Sequence, residues 1–277
     1  QDQIQLSRRW QAVAGLRMDH FDLRYHNNRN NDQLRRIDNM LSPRFGLVFK
    51  PTDAISLYAS RSVSFLPSAG DQFSSLTNVT QQLKPEKFTN LEAGAKWDLR
   101  RGLALTAAVY QLDRTNTRSI DPNDPTRIVQ TGSQRSRGVE LGAAGSVTSK
   151  WRMAGGYAYQ DAVITGATAA ARAGARIAQV PRGTFSIWNN YQITRRAGAG
   201  LGILNRASMF AAIDNTVVLP GYTRADVAGF YQVSERFRLQ ANVENITGRR
   251  YYVNADGNNN ITPGYPRAVR LALVARF

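Results

Sequence analysis

The chain has 277 residues, with 36 Lys and Arg against 20 Asp and Glu, a formal net charge of +16, two histidines and no cysteine. That inventory excludes a disulfide framework, thiolate metal sites and a cysteine nucleophile. Mean hydropathy is −0.40, and no apolar run reaches the roughly eighteen residues of a transmembrane helix.

A membrane β-barrel stays open, because its strands hide their hydrophobicity in alternation. The arginines are scattered along the chain and form no basic block, which argues against nucleic acid as a partner.

Residues 10–25 set Ala12, Ala14, Leu16 and Met18 against Gln11, Arg17 and Asp19, a period of two that predicts a strand running into a polar loop at 26–32. Residues 43–50 alternate again through Phe45, Leu47 and Phe49. After a turn at 51–53, Ile55, Leu57 and Ala59 continue the pattern, which predicts a hairpin. A long polar connection at 65–85 leads to a strand at 88–98, a turn at 100–102 and a strand at 103–116. A loop around 121–125 precedes a strand ending at 147, a turn at 148–150 and a strand from Trp151. The Ala/Gly-rich loop at 165–179 leaves a helical turn open at 167–175. Strands at 181–194, 198–209, 222–233, 237–245 and 267–277 complete the chain, with tight turns at 195–197 and 234–236 and long loops at 210–219 and 249–264.

About thirteen strands emerge in which every second connection is short and the others long. That asymmetry belongs to an all-β, antiparallel transmembrane β-barrel of the outer-membrane type. Trp10, Tyr58, Trp97, Tyr110, Trp151, Tyr157, Tyr159, Tyr191, Tyr231, Tyr251 and Tyr252 fall near strand ends, where girdles of interfacial rings are expected; ordinary sheet core is the alternative for any one of them. Glycines inside strands, such as Gly200 and Gly202, suit places where a barrel bends or a neighbour packs closely.

Enzymatic chemistry finds no support. No nucleophile elbow or phosphate-cradling loop is present, and His20 and His26 with Asp19 or Asp22 lack further metal ligands at suitable spacing. Neither a catalytic residue, a protein-bound metal nor a cofactor is expected.

Several pieces carry a family resemblance. They are residues 56–67 (SLYASRSVSFLP), Leu83-Lys-Pro-Glu86 with Glu92-Ala-Gly-Ala-Lys96, Arg135-Ser-Arg-Gly-Val-Glu-Leu141, Val180-Pro-Arg182 and residues 219–226 (LPGYTRAD). Asn242-Val-Glu-Asn245 leading to Arg250-Tyr-Tyr252, and Pro263-Gly-Tyr-Pro-Arg267 running to Phe277, complete the set. In this order the chain resembles the C-terminal part of a TonB-dependent siderophore receptor, closest to the catecholate and hydroxamate branches.

The resemblance implies a barrel of about 22 strands plugged by an N-terminal domain in the outer membrane of a Gram-negative cell. Residues 1–277 would be its C-terminal portion, with the plug, the TonB box and the early strands preceding Gln1 and the piece not competent alone. The implied ligand is a ferric siderophore of catecholate type, with iron carried only as the chelate. The implied partners are the TonB complex, the barrel-assembly machinery, which would read Phe277, and outer-membrane lipid and lipopolysaccharide; the full receptor would be a monomer.

Arg17, Asp19, Glu92, Lys96, Glu140, Arg224, Asp226, Arg238, Glu244 and Arg270 lie on the expected lumen parity, since an Arg or Lys at mid-membrane on the lipid side costs about 2–4 kcal/mol. Their mixed signs suit hydrogen bonding to a plug. Arg114, Trp188, Arg206, Phe210 and Arg224, with Tyr252 and Asn254 in the last long loop, are the candidate ligand contacts, because cations and rings together suit an anionic aromatic chelate. Two alternatives remain: a passive porin-like barrel, and a soluble β-protein binding acidic polymers.

Overall fold

The computed structural model describes residues 1–67, 81, 84–100, 102–121, 123–124, 128–168 and 171–275. Phe277, most of the predicted 65–85 connection and part of the 121–125 loop lie outside the described residues.

The strands are β1 (Asp2–Gln5), β2 (Trp10–His26), β3 (Gln33–Thr52), β4 (Ile55–Leu66), β5 (Glu86–Arg100), β6 (Leu103–Ile120), β7 (Ile128–Ser146), β8 (Trp151–Gly166), β9 (Gly183–Gln192), β10 (Ala197–Arg206), β11 (Met209–Phe210), β12 (Val218–Leu219), β13 (Tyr222–Gln232), β14 (Phe237–Glu244), β15 (Tyr252–Ala255), β16 (Ile261–Pro263) and β17 (Ala268–Ala275). Thirteen of them form one sheet in chain order, from β1 at one edge to β17 at the other. The β11–β12 and β15–β16 hairpins stand apart, inside the loops β10–β13 and β14–β17.

Outside β1 and the outer half of β3, the strands of the large sheet have two unlike faces, and the apolar one stays uncovered. Leu16 is 68% exposed, Met18 74% and Leu271 80%, the reverse of a soluble sheet and the arrangement that lipid requires. Trp10, Trp97, Trp151, Tyr191 and Tyr231 are exposed near the short turns, whereas Tyr157 and Tyr159 are exposed higher up. Trp151 and Tyr159 are separated by about 26 Å of strand at ~3.3 Å per residue, matching a hydrocarbon band between two girdles. Tyr58 and Tyr110 do not join them. Their hydroxyls donate to Glu92 at 2.6 Å and to Gln160 at 3.2 Å on the polar face. Tyr251 is buried in a loop.

Four short turns share one construction. The amides of Leu6, Val147, Ile193 and Val233 donate to the carbonyls of Trp10, Trp151, Ala197 and Phe237 at 2.8–2.9 Å. Inside each, Ser7, Thr148, Thr194 or Ser234 accepts a backbone N–H through its hydroxyl, so a small hydroxyl residue supplies the acceptor that a tight turn needs.

Three features depart from the sequence expectations. First, β3 begins at Gln33 rather than at residue 43. Its outer half places Leu34, Arg36, Asp38 and Met40 on one parity, with Asp38 only 3% exposed and paired to Arg36 at 2.7 Å, so buried charge masks the apolar period. Second, β1 is a polar strand without alternation. Third, the described part of 167–175 forms a Thr168–Ala171 bridge instead of a helical turn.

Buried apolar residues collect among the long loops. Ile164, Ala171, Ala175 and Ile213 make one cluster; Met209, Ala211, Leu219 and Ala255 make another, flanked by Val217 and Ile261. These clusters hold the loops as built structure above the sheet.

Candidate functional site

The site begins where β10 and β13 end at the long loops. Arg206 and Tyr222 are register partners, and the Arg206 guanidinium lies 4.9 Å from the Tyr222 ring centroid. It donates to the carbonyls of Tyr252 at 2.5 Å and Val253 at 2.7 Å. Arg224, one step down the polar face of β13, donates to the Tyr251 hydroxyl at 3.0 Å and to Asp226 at 2.8 Å. The rings of Tyr222 and Tyr251 are 4.4 Å apart and tilted by 34°.

The loop that delivers Tyr251 is closed by Asn245, which is 1% exposed and has φ of 51°, a left-handed conformation that Asn tolerates. Its side chain accepts the Arg249 N–H at 2.9 Å and donates to the carbonyls of Arg249 at 2.9 Å and Tyr265 at 3.2 Å, while its own N–H donates to Asp226 at 2.7 Å. Gly264 lies against the Tyr251 ring so closely that a Cβ would overlap it.

Neighbouring loops are stitched to this one. Gln179 exchanges two hydrogen bonds with the backbone of Ala255 at 2.6 and 3.2 Å, and Asn258 donates to Asp214 at 2.8 Å. Asn215 accepts the Arg176 N–H at 2.7 Å. Phe210 pairs with Val218 in β11–β12 and accepts the Gln179 N–H at 2.8 Å. Tyr252 and Asn254 stand exposed on β15, opposite Pro263 and Thr262.

Arg206, Arg224, Tyr252, Phe210 and Asn254 thus belong to one end of the sheet. Trp188 sits lower on the polar face of β9, its ring lying over Gly200 and Gly202, where a Cβ would meet it at 2.5 and 2.6 Å. Arg114 is separate. It donates to Glu86 at 2.9 Å and stacks 4.9 Å from the Phe88 centroid, with β7, β8 and β9 intervening.

The ten charges assigned to the lumen all fall on the parity opposite the exposed apolar one. Arg17 pairs with Asp19 at 2.7 Å and Lys96 with Asp98 at 3.6 Å. Glu92 accepts from Tyr58, and Glu140 stands on β7 opposite Ala108 and Ala158. Arg270 pairs with Glu244 at 3.3 Å, and Arg238 stacks 4.7 Å from the Phe230 centroid.

Sequence reasoning missed Tyr222 and Asn245 and read Tyr251 as interfacial. The signals were an Asn just past the end of β14 and a tyrosine pair separated by the β13–β14 hairpin, and neither is specific without the fold.

The family profile described as TonB dependent receptor-like, beta-barrel matches residues 1–246. The metal-pseudopaline receptor of Pseudomonas aeruginosa is 30% identical over 100% of this chain and 40% of its own length. The catecholate siderophore receptor Fiu of Escherichia coli strain UTI89 is 30% identical over 86% of this chain and 33% of its own. The crystal structure of the siderophore receptor PiuA from Acinetobacter baumannii superposes with a TM-score of 0.86 at 26% identity, covering 99% of this chain and 42% of that one. The chain therefore spans two fifths or less of the length of these curated relatives.

Proposed function

Because the chain belongs to the TonB-dependent receptor family and builds part of its outer-membrane β-barrel, we propose that the full receptor imports a ferric siderophore of catecholate type, driven by TonB. The supporting observation is the meeting of Arg206 and Arg224 with the Tyr222 ring, the Tyr251 hydroxyl and the Tyr252 carbonyl at the long-loop end of the polar face. Guanidinium charge, phenol hydroxyls and ring faces are the complement of an anionic, aromatic chelate. The lower polar face, with Glu92, Glu140 and the mixed ion pairs, supports a plugged interior over a single-sign ion filter. The plug and the TonB contact belong to the receptor outside these residues.

Titrating the full receptor with ferric catecholate, ferric hydroxamate and metal-pseudopaline tests this, with tryptophan fluorescence as the readout. The hydroxamate tests the second siderophore branch of the resemblance, and the name of the Pseudomonas relative makes metal-pseudopaline the informative competitor. Preference for the catecholate, weakened about tenfold or more by Arg206→Ala with Arg224→Ala, is expected. Equal affinity in the double variant would remove these arginines from the ligand site.

A further inference from the structure

The lipid-facing side of the last strands holds a depression. Strand register sets Ala199, Gly229, Ala241 and Leu271 side by side on β10, β13, β14 and β17. The next row toward the short turns carries Tyr231, Leu239 and Leu273, and the next row toward the long loops carries Leu201, Val227, Val243 and Val269. Three small residues between two rows of large ones make a trough. Around Gly229 and Ala241 it widens into an apolar cavity of about 620 Å3, walled by Tyr231, Leu239, Leu271 and Leu273.

Gly229 stands inside β13 without a positive φ and without a register shift, so neither a turn nor a bulge calls for glycine there. At Gly94, Gly138, Gly155, Gly200 and Gly202 a Cβ would come within 2.7 Å of a neighbouring atom, whereas at Gly229 it would meet nothing within 4 Å. Packing inside the protein therefore gives no reason for a residue that weakens a strand, and close approach of a bound molecule does. From Gly229 to Val233, at the turn, is about 13 Å of strand at ~3.3 Å per residue. The trough thus lies within the leaflet on the short-turn side, the periplasmic one for such barrels.

The turns below it are cationic. Gln232 donates its N–H to the Arg196 carbonyl at 2.8 Å, which sets the β9–β10 and β13–β14 turns side by side. Together they expose Arg195, Arg196 and Arg236 against Glu235 alone. None of the three arginines forms an ion pair with a described residue. Tyr231 is exposed between turn and trough, where a phenol ring suits the headgroup boundary.

We propose that the trough and the paired turns form a site for an acidic phospholipid of the periplasmic leaflet, with an acyl chain over Gly229 and Ala241 and the phosphate on Arg195, Arg196 and Arg236. Guanidinium groups bind phosphate oxygens in bidentate fashion. An apolar trough beside a cationic rim is the complement of a ligand with a hydrocarbon tail and an anionic head, and burial of the tail alone would leave the rim without a role. The site faces lipid, so neither the siderophore nor the barrel interior takes part in it.

The test reconstitutes the full-length receptor in phosphatidylcholine vesicles with a trace of phosphatidylglycerol, or of phosphatidylcholine, bearing a diazirine in its acyl chain, and maps the labelled peptides by mass spectrometry. Labelling of 227–231, 239–243 and 269–273 should be about fivefold or more higher with the phosphatidylglycerol probe. Arg195→Gln with Arg196→Gln and Arg236→Gln should abolish that preference. Gly229→Leu, checked for native heat-modifiable mobility, should fill the trough and remove the labelling; if it does not fold, the turn variant decides by itself. Equal labelling by the two probes, labelling spread evenly to the lipid face of β2–β4, a preference that survives loss of the arginines, or labelling unchanged in a folded Gly229→Leu receptor would each overturn the proposal. Native mass spectra of the receptor extracted from outer membranes should retain a phosphatidylglycerol-class lipid; a lipid-free dimer would assign the trough to a second copy and overturn it too.

Discussion

Arg224 donates to the hydroxyl of Tyr251 at 3.0 Å, a hydrogen bond that fastens β13 to the last long loop across 27 residues of chain. The loop thereby depends on the same arginine that faces the candidate ligand site. Tyr251→Phe removes this bond and keeps the ring against Tyr222, at a cost of about 1 kcal/mol. Faster amide exchange across 249–264 in the full receptor is the expected outcome, with β13 itself unchanged.

Trp188 occupies space that only glycine leaves free. Gly202→Ala would push a Cβ to 2.6 Å from the indole, a clash worth about 1–3 kcal/mol. A lower urea midpoint is expected, largely restored when Trp188→Leu is added. Additive losses in the double variant would disprove the packing relationship.

Glu86 is nearly buried and accepts from Arg114 at 2.9 Å and from the Arg118 N–H at 3.1 Å. Glu86→Ala leaves both donors unpaired and should cost about 3–5 kcal/mol, read as early unfolding of β5 and β6. Arg114 is already engaged by Glu86 and Phe88, so Arg114→Ala is expected to lower stability more than siderophore affinity.

Asp22 shows how acid should loosen the β2–β3 tip, above the exposed apolar band. The hydrogen bond from Arg35 holds its carboxyl below the usual range. A depressed folded pKa contributes stability that is fully present above the unfolded value of about 4 and is lost as pH falls through the folded value. Protection of residues 20–26 should therefore step down below about pH 4, and the step should vanish in Asp22→Asn.

The barrel was legible because Leu16, Met18, Leu271 and Leu273 keep strict parity with Arg17, Asp19 and Arg270, and lipid enforces that parity more strongly than propensity does. The outer half of β3 was not, since Arg36 and Asp38 satisfy each other where a core would use apolar residues. The site was legible in part. Arginine and tyrosine composition marked Arg206, Arg224 and Tyr252, but their meeting depends on Asn245 and Gln179, whose side-chain-to-backbone bonds join segments up to 76 residues apart. No local period encodes such contacts.

The most direct measurement is accumulation of radioactive iron, supplied as a ferric catecholate, by cells lacking their own siderophore receptors and expressing the full-length receptor. TonB-dependent accumulation, reduced by Arg206→Ala with Arg224→Ala, is the expected result. Absence of accumulation with every ferric siderophore offered, or accumulation that persists without TonB, would contradict it.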